Sequence, residues 1–200
     1  MTRRHPAAVP GMSIGLLGGS FDPPHEGHLH ISEVALRRLG LNRVWWLVTP
    51  GNPLKQRGPA DIGRRMHACE DLIDGRAGIV PTDLETRLGT RYTADTLRAM
   101  QRNYPGVKFV WLMGADNLVE FHRWEQWVDI FRTVPIAVFA RPGHQVKAGL
   151  SIAATRFAGA RLDARRAAAL PYRAAPCWTL LSHPMRAHSS TKIRASGAWA

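Results

Sequence analysis

The chain has 200 residues, of which 45% are hydrophobic and 21% are charged, and it carries a formal net charge of +12. This composition is ordinary for a globular domain and excludes an intrinsically disordered chain. No apolar run approaches the roughly 18 to 20 residues that a membrane-spanning helix needs, so we expect no membrane association. Two cysteines are too few for a disulfide framework, and residues 1–11 lack the apolar stretch of a secretory signal. These features predict a cytoplasmic protein.

Short apolar runs alternate with amphipathic segments along the chain, a pattern typical of a parallel α/β sheet. The predicted strands are residues 12–17, 43–49, 78–83, 108–113, 136–140 and 177–181. The predicted helices are residues 27–39 with Gly40 as the stop, residues 60–73, a helix capped by Thr93 that runs through Arg102, a tryptophan-rich stretch to about Phe131, and a short helix that begins at Ser189-Ser190-Thr191. Residues 150–170 show no usable pattern. We predict one Rossmann-like domain at residues 12–200, a doubly wound parallel sheet with helices on both faces, preceded by a flexible tail at residues 1–11.

The strongest feature is the run GGSFDPPHEGH at residues 18–28, which we call the signature turn. It lies between a predicted buried strand and a helix start, which is where open α/β sheets bind ligands. Gly18 and Gly19 let the backbone approach a phosphate closely, and the amides and positive end of the following helix attract negative charge. The prolines stiffen the turn. The pattern therefore indicates a phosphate-binding turn.

The two histidines of the signature turn are three residues apart, so we expect His25 and His28 to project to one side and to meet one triphosphate. Imidazoles can donate hydrogen bonds to phosphoryl oxygens, which suits in-line attack by a substrate phosphate on the α-phosphorus of ATP. A zinc peptidase is excluded because HExxH places its histidines four apart. The turn also lacks the sequences of a P-loop and of a GxGxxG dinucleotide site.

The signature turn resembles the N-terminal motif of the nucleotidyltransferase superfamily that holds the nicotinate mononucleotide and phosphopantetheine adenylyltransferases. The run SSTKIR at residues 189–194 resembles its C-terminal motif. The resemblance implies that the histidines bind the ATP phosphates and stabilise the transition state, with Mg²⁺ accompanying ATP. It implies an ATP site formed by Gly18, Gly19, Ser20, Phe21, His25, His28, Gly114, Asp116, Ser189, Ser190, Thr191 and Arg194. The superfamily commonly continues with a helical tail, whereas this chain has six residues after Arg194.

The middle of the chain resembles the nicotinate mononucleotide adenylyltransferase family. The matching stretches are NPLK at 52–55, YTADTL at 92–97, GADN at 114–117, tryptophans at 124 and 127, and ARPG at 140–143. The resemblance implies that Lys55 meets phosphate, that Thr93 and Trp124 surround the pyridine ring, that Asp116 holds a ribose hydroxyl and that Arg141 favours the anionic nicotinate nucleotide. The expected reaction joins ATP and nicotinate mononucleotide into nicotinate adenine dinucleotide, with release of pyrophosphate.

Two alternatives remain open at this point. Phosphopantetheine adenylyltransferases share the N-terminal motif, but they usually carry Thr in place of the first histidine and have shorter chains, so His25 and the length of 200 residues count against them. A basic nucleic-acid-binding module is favoured by the charge and by the seven tryptophans, which could stack on bases. Its arginines are scattered rather than gathered in one block, so we expect no specific nucleic-acid binding.

Overall fold

The computed structural model describes residues 6–51, 58–140, 145–182, 193 and 199. Its six strands are β1 (Ser13–Gly19), β2 (Arg43–Val48), β3 (Ile79–Thr82), β4 (Lys108–Gly114), β5 (Ile136–Phe139) and β6 (Trp178–Leu181). They form one sheet in the order β3-β2-β1-β4-β5-β6, and every neighbouring pair is parallel. The order reverses direction between β1 and β4, so the carboxyl ends of these adjacent strands flank the crevice in which such sheets bind ligands.

Eight α-helices and three 3₁₀ segments connect these strands within the described residues. The helices are α1 (Glu26–Leu39), α2 (Ile62–Ile73), α3 (Leu84–Leu88), α4 (Thr93–Asn103), α5 (Ala115–Glu120), α6 (Trp127–Thr133), α7 (Gln145–Gly149) and α8 (Ile152–Arg156). The 3₁₀ segments are Phe121–Arg123, Ala158–Ala160 and Ala164–Tyr172. No helix in the described part of the chain is both long and apolar enough to cross a membrane.

Helices cover both faces of the sheet because successive strand residues point to opposite sides. In β2, Trp45 packs into a core with α4, α5, α6 and α8, whereas Trp46 packs into a second core with α1, α2 and the segment Ala164–Tyr172. Both indoles are fully buried. This arrangement confirms the predicted doubly wound α/β fold.

The elements differ from the predicted ones in several places, and the short helices α3 and α7 were not predicted. Thr93 is the first residue of α4 rather than its cap; the cap position is Tyr92, and no side chain caps that helix end. The tryptophan-rich stretch is divided into α5, a 3₁₀ turn and α6, because Gln126 adopts a left-handed conformation with φ of 52° before α6 begins. The unpatterned residues after 150 form α8 and two 3₁₀ segments. The division into a tail at 1–11 and a domain at 12–200 stays a prediction.

Candidate functional site

The signature turn leaves the carboxyl end of β1 under tight steric constraint. A Cβ atom on Gly18 would lie 2.5 Å from the Trp111 ring of β4, so no other residue fits there without movement of that ring. Phe21 adopts a left-handed backbone with φ of 46°, which is strained for a bulky side chain. Its buried ring stacks on Trp46, with 5.0 Å between centroids, and also contacts the ring of His28. Packing on both sides thus holds a strained turn in one shape.

The two histidines lie side by side, with 3.9 Å between ring centroids. His25 is the N-cap of α1, and its Nδ1 accepts the Gly27 N–H at 3.1 Å. His28 lies one turn later, and its Nδ1 accepts the His25 N–H at 3.1 Å. A ring nitrogen that accepts a hydrogen bond carries no proton, so this arrangement selects the neutral tautomer with the proton on Nε2 in both rings. Each histidine therefore carries its N–H group on Nε2, and both rings lie at the N-terminus of α1.

The turn after β4 lies beside the signature turn, because β4 pairs with β1. Gly114 ends β4 and occupies the cap position of α5, and the half-buried Asp116 lies in the first turn of that helix. The structure thus places Asp116 at the carboxyl end of the strand that neighbours β1. The two glycine-containing turns are brought together at the switch point of the sheet.

An aromatic cluster links the signature turn to Trp124, which was predicted to contact the pyridine ring. Trp124 is half-buried and packs on Phe121, with 4.9 Å between centroids, and edge-on to Trp111, with 6.3 Å. Trp111 in turn fills the space next to Gly18. Thr93 is half-buried at the start of α4, a helix that packs on α6 through the ion pair between Arg98 and Asp129. Trp124 thereby connects with the signature turn through Trp111, whereas no described contact joins Thr93 to the histidines.

Six of the predicted site residues lie outside the described part of the chain. They are Lys55, Arg141, Ser189, Ser190, Thr191 and Arg194. Their assignments stay predictions.

One charged residue beneath the signature turn was not predicted. Arg65, in the first turn of α2, is 1% exposed, and its guanidinium donates to the backbone oxygens of Ser20, Thr49 and Ala60 at 2.7 to 2.8 Å. Burial lowers the pKa of Arg65, and the nearby carboxylate of Asp22 opposes that shift. The sequence did contain a signal: Arg65 falls on the apolar stripe that Cys69 and Ile73 continue, at a position where an arginine is unusual.

A buried carboxyl group at the other side of this region was also not predicted. Glu85 of α3 is 6% exposed, and burial raises its pKa to about 7, opposed by hydrogen bonds with Thr49 and Thr96. The Thr96 hydroxyl lies 3.2 Å from Glu85 Oε1 and 2.9 Å from the hydroxyl of Thr90. We call these four residues the Glu85 cluster. It joins the end of β2 to the first turn of α4, where Thr93 lies.

Near the end of the chain, Trp199 contacts the signature turn. Its indole Nε1 donates to Asp22 Oδ1 at 2.7 Å, and the guanidinium carbon of Arg64 lies 4.3 Å from the centre of the Trp199 ring. This contact shows how one residue of the short stretch after Arg194 packs, a point that sequence patterns left undetermined.

Sequence comparison assigns the chain to a family. The cytidylyltransferase-like family model matches residues 16–196. A curated relative from Cereibacter sphaeroides, named "Probable nicotinate-nucleotide adenylyltransferase", is 55% identical over 94% of this chain and 99% of its own length. A relative of the same name from Ruegeria pomeroyi is 52% identical over 100% of this chain and 93% of its own length.

Structural comparison agrees with this fold. The nicotinic acid mononucleotide adenylyltransferase of Plasmodium falciparum, solved in complex with NaAD, superposes with a TM-score of 0.72 at 16% identity, covering 92% of this chain and 83% of that one. The signature turn and the neighbouring turn after β4 both fall inside the matched family region. The chain therefore belongs to the cytidylyltransferase-like family and, within it, to the nicotinate-nucleotide adenylyltransferases.

Proposed function

We propose that the protein transfers the adenylyl group of ATP to nicotinate mononucleotide, giving nicotinate adenine dinucleotide and pyrophosphate as a step of NAD biosynthesis. The observation that carries this proposal is the pair of adjacent imidazoles in the signature turn, whose Nδ1 atoms accept hydrogen bonds from backbone N–H groups. Donors held in this way need no rearrangement when charge develops on a phosphoryl group. The relatives that are 52% to 55% identical carry the corresponding name.

The proposed reaction is a displacement at the α-phosphorus of ATP. A phosphate oxygen of nicotinate mononucleotide forms the new bond to phosphorus, and the bond to the bridging oxygen of pyrophosphate breaks. His25 and His28 would donate Nε2–H to the oxygens on which negative charge accumulates. The backbone of Gly18 to Phe21 would bind phosphate, and Asp116 would accept a hydrogen bond from a ribose hydroxyl. Such a reaction depends on positioning and charge stabilisation rather than on a covalent intermediate.

Magnesium is proposed to enter with ATP. The described residues contain no cluster of three or more His, Cys, Asp or Glu side chains that could hold a metal ion by themselves. Mg²⁺ in proteins commonly binds substrate phosphates, water and one or two carboxylates, and the two turns carry three carboxylates, those of Asp22, Glu26 and Asp116. This donor set fits a magnesium ion that is bound largely by the triphosphate and that supplies charge neutralisation there.

The acceptor substrate, nicotinate mononucleotide, is proposed to bind near Thr93 and Trp124. The face of an indole suits stacking against a pyridine ring. Lys55 would contact the acceptor phosphate, and Ser189, Ser190, Thr191 and Arg194 would clamp the phosphates of ATP. Arg141 would select the nicotinate carboxylate over the neutral amide. We also place the reaction in the cytoplasm, which the two buried, unbridged cysteines fit.

A pyrophosphate-release assay with matched acceptors tests the proposal. With ATP and Mg²⁺, we expect turnover on nicotinate mononucleotide and a kcat/KM for its amide that is roughly 10- to 150-fold lower, the usual cost of losing a charge-assisted contact. Robust turnover on phosphopantetheine with none on nicotinate mononucleotide would replace the proposal by the related activity. Equal kcat/KM values for nicotinate mononucleotide and its amide would overturn only the proposed role of Arg141 and would leave the proposed reaction in place.

A further inference from the structure

Arg65 has a position and a contact pattern that packing does not explain. It is buried, and every other buried residue on the inward face of α2 is apolar: Met66, Cys69 and Ile73. Removing a guanidinium from water costs several kcal/mol unless its donors find good acceptors. An apolar side chain would fill the same space without that cost. The charge is therefore expected to have a specific task.

The acceptors of Arg65 lie on three separate segments that border the proposed site. Its Nη1 donates to Ser20 O in the signature turn, at 2.7 Å, and to Thr49 O directly after β2, at 2.8 Å. Its Nε donates to Ala60 O, just before α2, at 2.7 Å. Thr49 and Ala60 flank the connection between β2 and α2, so one guanidinium holds both ends of that connection and the signature turn.

The planar geometry of a guanidinium makes this arrangement specific. Its N–H groups diverge in fixed directions, so the three backbone oxygens must keep fixed relative positions. A lysine ammonium has its donors on a single nitrogen and cannot reach the same set with the same geometry. The bond to Ser20 O also fixes the Ser20–Phe21 peptide plane, because C=O and N–H of a trans peptide point in opposite directions. The direction of the Phe21 N–H, a proposed phosphate donor, is set in the same way.

We propose that Arg65 is a positioning residue of the adenylyl-transfer site, holding the signature turn and the β2–α2 connection at the separation that the two substrates require. This inference rests on the proposed function. Arg65 touches neither substrate; it acts through the backbone of Ser20, Thr49 and Ala60. Displacement of reacting groups by about 1 Å can cost roughly 100-fold in rate. Loss of the three Arg65 hydrogen bonds, which we call the Arg65 brace, should therefore lower kcat as well as stability.

The test compares Arg65→Lys with Arg76→Lys. Arg76 is a matched control because it also donates to two backbone oxygens, those of Leu72 and Ile73, but at the far end of α2. Both variants are measured for kcat and KM for each substrate well below their melting temperatures. We expect Arg65→Lys to fold and to lose about 100-fold in kcat/KM, with a lower kcat, while Arg76→Lys stays within about threefold of wild type.

Amide hydrogen exchange of the substrate-free protein gives a readout that does not depend on the reaction. In Arg65→Lys, exchange should accelerate in peptides that cover residues 18–21 and 49–61, and Arg76→Lys should leave those peptides unchanged. If wild type shows no turnover on nicotinate mononucleotide while this exchange difference is present, the proposed function fails and the brace stands. If wild type turns over and neither kinetics nor exchange responds to Arg65→Lys, the brace is overturned.

A second variant covers the case in which Arg65→Lys does not fold. Arg65→Ala leaves a space that a small guanidinium compound can enter, so ethylguanidinium at millimolar concentration should restore kcat/KM in a saturable manner. Restoration of the folded state without restoration of turnover would overturn the proposal. If no Arg65 variant folds, the proposal is also overturned, because Arg65 would then be required for folding rather than for positioning the site.

Discussion

The two regions that flank the proposed nucleotide site are built around different buried groups, a cation in one and a carboxyl group in the other. The signature turn is braced by Arg65, a buried cation, and its histidines are fixed by backbone N–H groups. The Glu85 cluster, at the start of α4, is built on a buried carboxyl group surrounded by threonine hydroxyls. Thr49 belongs to both regions, because its carbonyl binds Arg65 and its side chain interacts with Glu85.

The difference between these regions lies in how they respond to pH. A guanidinium stays protonated throughout the physiological pH range even when burial lowers its pKa. The hydrogen bonds that Arg65 donates under the signature turn therefore do not depend on pH in this range. A carboxyl group with a pKa of about 7 changes its charge near neutral pH. One side of the site is therefore expected to be insensitive to pH, and the other side to respond to it.

The largest expected effect tests whether the signature turn performs the chemistry. His28→Ala should lower kcat about 100-fold or more, which is about 3 kcal/mol, because it removes a preorganised donor to the developing charge. The KM for nicotinate mononucleotide should stay nearly unchanged. Steady-state kinetics measure both, with His67→Ala, at an exposed histidine of α2, as the control.

A second substitution at the same position separates chemistry from helix capping. In His28→Asn the amide oxygen can accept the His25 N–H as Nδ1 does, but the amide NH2 ends short of the position that Nε2–H occupies. This variant should melt near wild type and still lose kcat. If His28→Asn keeps kcat, or if His28→Ala only melts lower and keeps kcat per molecule, the histidine is a structural cap.

The next effect concerns the Glu85 cluster. In the unfolded chain Glu85 has its ordinary pKa of 4.5, whereas in the folded chain burial raises its pKa to about 7. Between these values the folded state binds more protons, so stability should fall as pH rises through this window and level off above it. Glu85→Gln resembles the protonated acid and should remove that fall, making the variant more stable than wild type at pH 8 by up to about 3 kcal/mol.

Urea unfolding at pH 5, 6, 7 and 8 measures this prediction. The difference between Glu85→Gln and wild type should shrink to less than about 1 kcal/mol at pH 5, because the unfolded-state pKa is 4.5. Glu120→Gln, the same change at an exposed position on α5, should follow the wild-type profile. A difference that is the same at every pH would mean that Glu85 does not titrate in this range, and the contrast between the two regions would be lost.

The smallest effect concerns the contact between Trp199 and the signature turn. Trp199→Phe removes the indole N–H that donates to Asp22 but keeps an aromatic ring against Arg64. We expect a loss of about 1 kcal/mol in stability from the hydrogen bond. Trp199→Ala should lose more, because the ring contact goes as well. Equal unfolding midpoints for wild type and Trp199→Phe would show that the hydrogen bond does not stabilise the turn.

Local sequence patterns predicted the parts of the molecule whose structure is locally determined. Gly40 ends α1 as predicted, in a left-handed conformation, and the strands differ from the predicted ranges by one or two residues at their ends. The signature turn was recognisable because its glycines, prolines and histidines follow one another within a single run at residues 18–28. Gly114 and Asp116 were assigned to the ATP site by the resemblance, and the parallel pairing of β1 with β4 accounts for their position beside the signature turn.

The parts that were missed depend on partners distant in the sequence. Arg65 is buried because its acceptors include Ser20, 45 residues earlier, and no local pattern reveals that partner. Glu85 gains its raised pKa only when Thr49 and Thr96 are brought around it. After residue 150, long-range contacts decide the short helical turns; the indole of Trp178, for example, donates to the carbonyl of Phe157.

The contact between Gly18 and Trp111 has a consequence for the evolution of this site. The space of a side chain at position 18 is occupied by an indole from another strand, so exchanges at the two positions cannot be independent. Substitutions of contacting residues are often non-additive by about 0.5 to 3 kcal/mol. A library that varies position 18 alone would contain few functional members. A library that varies positions 18 and 111 together would include pairs that no single exchange produces, such as alanine at position 18 with a smaller aromatic ring at position 111.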